Sequence, residues 1–250
     1  MFIERVWGRH DLAPLFGQHE KRIGEVWFPL DDESPLLVKF LFTSQRLSIQ
    51  VHPRDEFAAL HEQSRGKTEM WHVLDAAPEA TIALGLNCDV TLEALREAIA
   101  NGAVLDLVEW VPVKAGDTLL APAGTIHALG EGLIVCEIQQ NSDVTYRLYD
   151  YNRPRELHLE KGLAVSDLTR CNGRREFPVA CDHFLTEMLE ISAPAASSVE
   201  CEYLLIPVAG SGTLAGKPFE AGQCWKVSAG AGPVALTGTP GTRILRTRAC

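Results

Sequence analysis

Four residues of the chain have the side-chain types and the surroundings of metal ligands. Gln50 and His52 stand two positions apart, Glu69 follows seventeen residues later, and His127 comes directly after a Pro-Ala-Gly turn at 122–124. Two imidazoles, a carboxylate and an amide oxygen are ligands that a borderline-soft divalent ion such as zinc accepts, with a further position open to water or substrate. The pattern predicts a metal site that serves catalysis rather than scaffolding.

Each of these residues also has an ordinary interpretation. A hydrogen-bonding role is the alternative for Gln50, because amide oxygens bind zinc poorly. A solvated acid beside Lys67 is the alternative for Glu69, although the apolar Met70 and Trp71 that follow it favour burial. For His52, Glu69 and His127 together, a shared metal ion is favoured over three independent structural roles.

Three further residues are candidates for the chemistry itself. Glu137 follows an apolar run, and a buried acid there must be paired, bound to metal or active in proton transfer. Arg147 either pairs with Asp143 or Asp150, or uses its bidentate donors to stabilise an oxyanion or hold a phosphate. Lys67 has the same two interpretations, and an exposed surface position is the favoured one.

The elements that must position these side chains are mainly β-strands, with small helical insertions. Short apolar runs bounded by turn residues predict strands, and two stretches with helical periodicity predict helices, the second with Thr91 as N-cap and Gly102 just past its end. The predicted strands are 23–28, 36–42, 47–52, 70–74, 81–86, 108–113, 118–122, 132–139, 184–191 and 203–208, and the predicted helices are 55–63 and 91–101.

The strand pattern also places the ligands. Gln50 and His52 leave the same face of one strand, because side chains alternate with a period of two. His72 points to the face opposite its neighbour Trp71, which favours a position in the core or behind the ligands. The turn at 114–117 and the Pro-Ala-Gly turn lead to His127 in a way that resembles the second motif of the cupin superfamily. The fold class predicted is therefore a cupin, or jelly-roll, barrel.

Three segments are predicted along the chain: a metal-binding cupin domain at 1–155, a connecting segment at 156–180 and a second β domain at 181–250. The sequence of 219–225 is similar to that of 113–119, and this similarity predicts a degenerate second cupin-like barrel. No histidine follows Val227, so this second domain is expected to serve packing or dimerisation.

Composition narrows the class of protein. The 250 residues carry a formal net charge of −10, which argues against binding to nucleic acid or to an anionic membrane surface. An anionic substrate would therefore need a local cationic pocket. Seven cysteines without a CxxC pair favour reduced thiols in the cytosol. The N-terminal residues lack a leader pattern and no apolar run is long enough for a membrane helix, so a soluble cytoplasmic protein is expected.

With these motifs in place, the chain resembles the class I mannose-6-phosphate isomerases, in particular the short bacterial form with two cupin barrels. The resemblance covers most of the first 155 residues and rests on Trp7-Gly8, 50–53, 67–71, 124–128 and 137–147. It implies one zinc ion per chain and the interconversion of mannose 6-phosphate and fructose 6-phosphate. The chain departs from the larger enzymes in lacking their long helical insertion and in its reduced second barrel.

The resemblance also implies residue roles. Gln50, His52, Glu69 and His127 match the zinc positions of the family. Arg147 matches its catalytic arginine, Glu137 matches an acidic position proposed as a proton carrier, and Lys67 matches a lysine of the binding pocket.

This chemistry suits the residues, since aldose–ketose isomerisation passes a proton between adjacent carbons through a cis-enediolate and needs a base and oxyanion stabilisation. The expected partner is a small sugar phosphate, and the expected state is a monomer or homodimer. Two alternatives stay open: a non-catalytic sugar-binding or regulatory cupin that kept its metal, and an iron-dependent cupin dioxygenase. The pair Gln50 and His52 counts against the latter, whose sites use an H-x-H pair.

Overall fold

The structure, a computed structural model, describes residues 1–31, 33–171, 173–191, 195–197 and 201–250, and it is mainly β, as predicted. The strands in this part of the chain are β1 (Phe2–Asp11), β2 (Gln18–Phe28), β3 (Leu36–Phe42), β4 (Ile49–Val51), β5 (Glu69–Ala76), β6 (Thr81–Leu86), β7 (Val108–Pro112), β8 (Thr118–Ala121), β9 (His127–Leu129), β10 (Leu133–Gln140), β11 (Tyr146–Tyr149), β12 (Arg174–Arg175), β13 (Val179–Ala180), β14 (Phe184–Ile191), β15 (Ala195–Ser197), β16 (Tyr203–Ala209), β17 (Ser211–Leu214), β18 (Lys217–Glu220), β19 (Trp225–Val227), β20 (Val234–Gly238) and β21 (Thr242–Ala249). The helices are α1 (Asp55–Glu62), α2 (Leu92–Asn101), α3 (Val104–Leu107) and α4 (Leu159–Val165).

The chain divides into two compact units that are each discontinuous in sequence. The first unit consists of Met1–His10, Glu20–Trp27 and Lys39–Arg175, and the second consists of Asp11–His19, Phe28–Val38 and Glu176–Cys250. This division differs from the contiguous boundaries predicted above. The stretches 11–19 and 28–38 belong to the second unit, and most of the predicted connecting segment 156–180, including α4, belongs to the first.

Two sheets build the first unit. The larger one has seven strands in the order β1-β2-β3-β10-β5-β8-β12, and the smaller one has five in the order β11-β4-β9-β6-β7. The pairings resolved between neighbouring strands are antiparallel, including β10 with β5 and β4 with β9. Within the described residues the ladders stay two separate sheets and do not close into one hydrogen-bonded barrel.

Apolar runs in the sequence explain the interior of this unit. All eight residues of β10 are buried, and so are all seven of β3, of which 39–42 belong to this unit, as expected for strands whose two faces are both covered. Helix α2 forms where predicted: the Thr91 hydroxyl accepts a hydrogen bond from the backbone N–H of Ala94, and Gly102 ends the helix with φ +84°. Its buried face, which includes Leu95 and Ile99, packs into one of the core clusters.

The predicted similarity between the segments 113–119 and 219–225 is present in the structure as the same kind of turn. In the first unit, the Lys114 N–H donates to the Asp117 carboxylate, and Gly116 between them has φ +94°. In the second unit, the Glu220 N–H donates to the Gln223 amide oxygen, and Gly222 has φ +91°. Each turn needs glycine because its backbone is left-handed at that position.

The second unit contains a five-stranded sheet in the order β13-β14-β21-β16-β19 and a four-stranded sheet in the order β15-β20-β17-β18. Its buried apolar cluster includes Leu205, Phe219 and Ile244. Among the described residues, the only grouping of side chains suited to a metal ion lies in the first unit.

No helix in the described part of the chain is long and apolar enough to cross a membrane.

The close approach of β1 to β2 depends on a glycine that the sequence places beside Trp7. A Cβ added to Gly8 would lie 2.4 Å from the carbonyl carbon of Ile23 and 2.5 Å from the backbone nitrogen of Gly24. We expect Gly8→Ala to lower the free energy of unfolding by roughly 1–3 kcal/mol, because backbone atoms cannot yield as a flexible side chain does. Urea denaturation followed by tryptophan fluorescence measures this; Val6→Ala, on an exposed position of the same strand, should cost less than about 0.5 kcal/mol.

Candidate metal centre and active site

The proposed ligands come together at the ends of strands from both sheets of the first unit. Gln50 on β4 lies opposite His127 on β9 and opposite Arg147 on β11, so these three residues share one row of the smaller sheet. His52 follows β4 directly, and Glu69 is the first residue of β5 in the larger sheet. His52, Glu69 and His127 are each about 1% exposed.

Backbone carbonyls fix the tautomers of the two histidines. His52 donates from Nδ1 to the Val144 carbonyl oxygen at 2.9 Å, and His127 donates from Nδ1 to the Thr125 carbonyl oxygen at 2.8 Å. A carbonyl oxygen only accepts, so each ring carries a proton on Nδ1, and in the neutral ring the lone pair lies on Nε2. This is the arrangement in which metal-binding imidazoles are held by their second nitrogen.

The Nε2 atoms of both rings face the carboxylate of Glu69. His127 Nε2 lies 3.1 Å from Glu69 Oε1, and His52 Nε2 lies 3.5 Å from Glu69 Oε2. The potential ligand atoms of the three residues lie within 4.8 Å of one another. Gln50 stands beside them, with its amide nitrogen 3.3 Å from His127 Nε2.

A divalent cation fits this arrangement. Glu69 Oε2 is buried and accepts no well-directed hydrogen bond from the described residues, although Lys67 Nζ is close, at 3.0 Å. Three converging acceptor atoms in a buried space repel one another unless a cation lies between them. Two imidazoles and a carboxylate are the donor set typical of a catalytic site for such an ion.

Charges around Glu69 and His52 keep both groups in the form that binds metal. Burial opposes ionisation of Glu69, but the charge of Lys67 opposes burial most strongly, and the pKa of the carboxyl lies well below its usual range. Burial, followed by repulsion from Lys67, lowers the pKa of His52 to about 3. At neutral pH the site therefore offers a carboxylate and a neutral imidazole.

Glu137 is buried in β10, as the sequence predicted, and has two polar partners. Its carboxylate accepts a hydrogen bond from Trp71 Nε1 at 2.8 Å and lies 3.2 Å from Lys39 Nζ. Burial and the nearby charge of Glu69 raise the pKa of Glu137 above its usual value, against the opposing effect of Lys39. A carboxyl group with a raised pKa is suited to exchanging protons near neutral pH.

One cavity of roughly 560 Å³ joins these groups. Its walls, which all belong to the first unit, include Gln50, Glu69, Glu137 and Arg147. The described lining residues contain five cationic side chains, Arg5, Lys39, Lys67, Arg147 and Arg155, and five acidic ones, Glu4, Glu25, Glu69, Glu137 and Asp143. The cavity is thus formally neutral in a chain with a net charge of −10, and a bound divalent cation would make it positive.

Arg147 reaches the cavity without the ion pairs considered from the sequence. Asp150 instead pairs with Arg155, at 2.6 and 2.7 Å, and with Arg153. Arg147 donates from Nη1 to the carbonyl oxygen of Glu156 at 2.7 Å, and its buried Nε has no partner among the described residues. The guanidinium is held by one backbone contact and keeps donors for another group.

The favoured surface position for Lys67 is wrong, because the residue is only 6% exposed and contacts two of the ligands. Its Nζ lies 3.1 Å from His52 Nε2 and 3.0 Å from Glu69 Oε2. The favoured core position of His72 is confirmed: it is buried, and its ring bonds the Thr118 hydroxyl at 2.9 Å, away from the cavity.

Several cavity residues were missed from the sequence, and only one of them had a clear signal. Lys39 is a single cation within the apolar run of β3, and a buried lysine must be paired. Its Nζ contacts Glu137 and lies 4.4 Å above the ring of Trp27. Arg5 and Arg155 stand among other charged residues and gave no signal of their own.

No family model matches the chain. It is 37% identical over 225 residues to Mannose-6-phosphate isomerase ManA of Bacillus subtilis (strain 168), a match that covers 82% of this chain and 67% of the relative. It is 40% identical over 160 residues to the mannose-6-phosphate isomerase of Streptococcus mutans, which covers 62% of this chain and 49% of that relative.

Solved structures of similar proteins share the fold over nearly the whole chain. The crystal structure of the mannose 6-phosphate isomerase from Bacillus subtilis superimposes with a TM-score of 0.88 at 27% identity and covers 99% of this chain and 97% of that one. A single-residue variant of phosphomannose isomerase from Salmonella typhimurium gives a TM-score of 0.81 at 15% identity, covering 100% and 97% of the chains. The second similarity supports the fold alone.

We expect the purified protein to bind one divalent cation through His52, Glu69 and His127. Replacing any of these with alanine should weaken binding by more than the ~10–100-fold that follows from loss of an outer partner of a ligand. Titration with Zn²⁺ against a chromophoric chelator measures the affinity. His61→Ala, at an exposed position on α1, is the control and should bind like the unaltered protein; equal affinity in the ligand variants would contradict the assignment.

The lowered pKa of His52 predicts a pH-dependent stability of the metal-free protein. Between its ordinary value of 6.5 and its folded value of about 3, the unfolded chain carries a proton on His52 that the folded chain does not. Stability from this group is therefore present above pH 6.5 and is lost as the pH falls. In chelator, His52→Asn should reduce the slope of unfolding free energy against pH by up to about 1.4 kcal/mol per unit. Denaturation curves across this range test it, and identical slopes would contradict it.

Proposed function

The chain belongs to the mannose-6-phosphate isomerase family, and on that premise we propose that it interconverts mannose 6-phosphate and fructose 6-phosphate with one zinc ion as cofactor. The observation that carries the proposal most directly is a single cavity lined by a metal ligand, a buried acid and an arginine with free donors. Glu69, Glu137 and Arg147 all line it. An aldose–ketose isomerisation needs these three functions.

We assign the ion to His52, Glu69 and His127, with Gln50 as a fourth donor. Zinc is supported by the chemistry of the set, since two neutral imidazoles and a carboxylate suit a borderline-soft ion. Rotation of the Gln50 side-chain amide by 180° would exchange its oxygen for its nitrogen toward the site. When bound, the ion supplies Lewis acidity at the oxygens of the carbonyl and the adjacent hydroxyl.

We assign proton transfer to Glu137. The carboxylate takes the proton from the carbon next to the carbonyl, which leaves a cis-enediolate, and returns it to the neighbouring carbon to give the other sugar phosphate. Lys39 and Trp71 hold the carboxylate in place, and burial raises its pKa toward the working pH. One proton passes between the two carbons and the hydroxyl proton passes between the two oxygens, so the reaction needs no redox partner.

Arg147 is assigned to the developing oxyanion. Its Nη1 is held by the Glu156 carbonyl, so the guanidinium is oriented before substrate arrives. Fixed donors aimed at a developing charge cost little reorganisation in the reaction. Lys67 adds positive charge beside Glu69, and it contributes with the other cationic walls of the cavity to holding an anionic substrate.

A cytoplasmic location and a monomer or homodimer remain the expectations from the sequence. Neither expectation enters the chemistry proposed for the cavity, which is formed by residues of one chain.

A coupled assay for fructose 6-phosphate formation tests the proposal. Activity should be lost with chelator and restored by zinc. Arg147→Ala should lower kcat by ~10²–10³-fold while zinc content is unchanged, and Glu137→Gln should lower it by ~10²–10⁴-fold. Arg96→Ala, which removes an exposed arginine paired with Glu160 on the surface, is the matched control and should retain full activity.

Stoichiometric zinc without turnover of either sugar phosphate would refute the proposed reaction. That outcome would favour the non-catalytic sugar-binding alternative, which sugar binding without conversion would then identify.

A further inference from the structure

The segment that carries Lys67 and Glu69 faces the cavity with one side and a polar network with the other. Lys67 and Glu69 line the cavity, and Thr68 between them is buried at 5% exposure. Since side chains alternate along an extended chain, Thr68 faces the reverse side. Whatever fixes Thr68 therefore fixes the two cavity residues on either side of it.

Gln140, the last residue of β10, holds this reverse side. Its amide oxygen accepts a hydrogen bond from the Thr68 N–H at 2.8 Å, and its own backbone N–H donates to the Thr68 carbonyl at 3.1 Å. The same side chain donates from Nε2 to the Asp55 carboxylate at 2.9 Å. Gln140 is 5% exposed, so each of its amide atoms needs a partner in the protein.

Asp55 links this contact to the segment that carries His52. Its Oδ1 also accepts from the Gly66 N–H at 2.7 Å, and the Lys67 N–H donates to the Pro53 carbonyl at 3.1 Å. A Cβ on Gly66 would lie 2.7 Å from the backbone nitrogen of Asp55, so the two segments are in direct backbone contact. The amide of Gln140 thus bridges the chain just after one ligand and the chain just before another.

The third ligand segment joins the same network. The Thr68 hydroxyl accepts from the Ala123 N–H at 3.1 Å, and the Gly124 N–H donates to the His52 carbonyl at 2.8 Å. Ala123 and Gly124 form the turn that leads into His127. Three segments that are far apart in sequence are held together behind the metal ligands.

We propose that Gln140 is a positioning residue for the metal centre, holding Glu69 in place relative to His52 through its carboxamide. The inference rests on the proposed function only in that the site takes zinc. An isosteric replacement can test the role of the carboxamide, because its oxygen and its nitrogen face different groups. Loss of partners that orient metal ligands weakens metal binding by ~10–100-fold.

The decisive variant is Gln140→Glu. It keeps an acceptor for the Thr68 N–H but places a carboxylate oxygen against Asp55, where the amide had donated. Zinc alone, titrated against a chromophoric chelator, should bind ~10–100-fold more weakly.

Gln18→Glu is the matched control, since it makes the same change at an exposed position and should leave zinc affinity unchanged. Thermal unfolding of each metal-free protein separates positioning from general destabilisation. If Gln140→Glu does not fold, Gln140→Met, which is similar in size and uncharged, takes its place and should also lower the affinity.

Unchanged zinc affinity in the folded Gln140 variant would overturn the proposal, as would a loss of affinity no larger than that in Gln18→Glu. The readout is independent of turnover. A protein that binds zinc as predicted but converts no sugar phosphate would refute the proposed reaction and leave the role of Gln140 standing.

Discussion

Three buried acceptor atoms meet at one position of the first unit, and most of its architecture is explained by the need to hold them there. His52, just after β4, and His127 on β9 bring imidazoles from the side of the smaller sheet, and Glu69 brings a carboxylate from the larger one. The hydrogen bonds on Nδ1 of both rings leave the lone pairs directed inward. Such an arrangement is unfavourable without positive charge, and the protein supplies part of it through Lys67 and leaves room for a cation.

The need for positive charge near these three acceptor atoms is also reflected in the charged side chains that line the cavity. Acidic and basic side chains are balanced around it, although the chain as a whole is strongly acidic. In a buried space, charges interact more strongly than in water, so a small local excess decides which ligands enter. Glu137 and Glu69 line one cavity yet have pKa values shifted in opposite directions. Burial and the charge of Glu69 raise the pKa of Glu137, whereas Lys67 lowers that of Glu69 against the effect of burial. Carboxyl groups separated in this way can take different roles, one as ligand and one as proton carrier.

The sequence was sufficient to predict the mainly β fold, the helix at Leu92–Asn101 and the grouping of His52, Glu69 and His127, because periodicity, capping residues and ligand types are local signals. Lys67 was placed on the surface because a lysine is normally exposed, and only the surrounding acids make its burial possible.

Contacts between residues that are far apart in the sequence could not be predicted from it. Gln140 forms hydrogen bonds with Thr68 and Asp55, which lie 72 and 85 residues away in the sequence, and no local pattern predicts such contacts. The division into units escaped prediction for the same reason, since it depends on where the strands near the start of the chain find their partners.

The alternation of the chain between its two units limits the modularity of the protein. The stretches 11–19 and 28–38 belong with residues 176–250, yet they are interspersed with the strands that begin the metal-binding unit. If the chain were divided after residue 175, the segments 11–19 and 28–38 would be separated from residues 176–250, which form the rest of their unit. In recombination, the C-terminal part could be exchanged for that of a relative only together with matching pieces near the start of the chain. Such a protein is expected to diverge by point substitution more readily than by swapping whole domains.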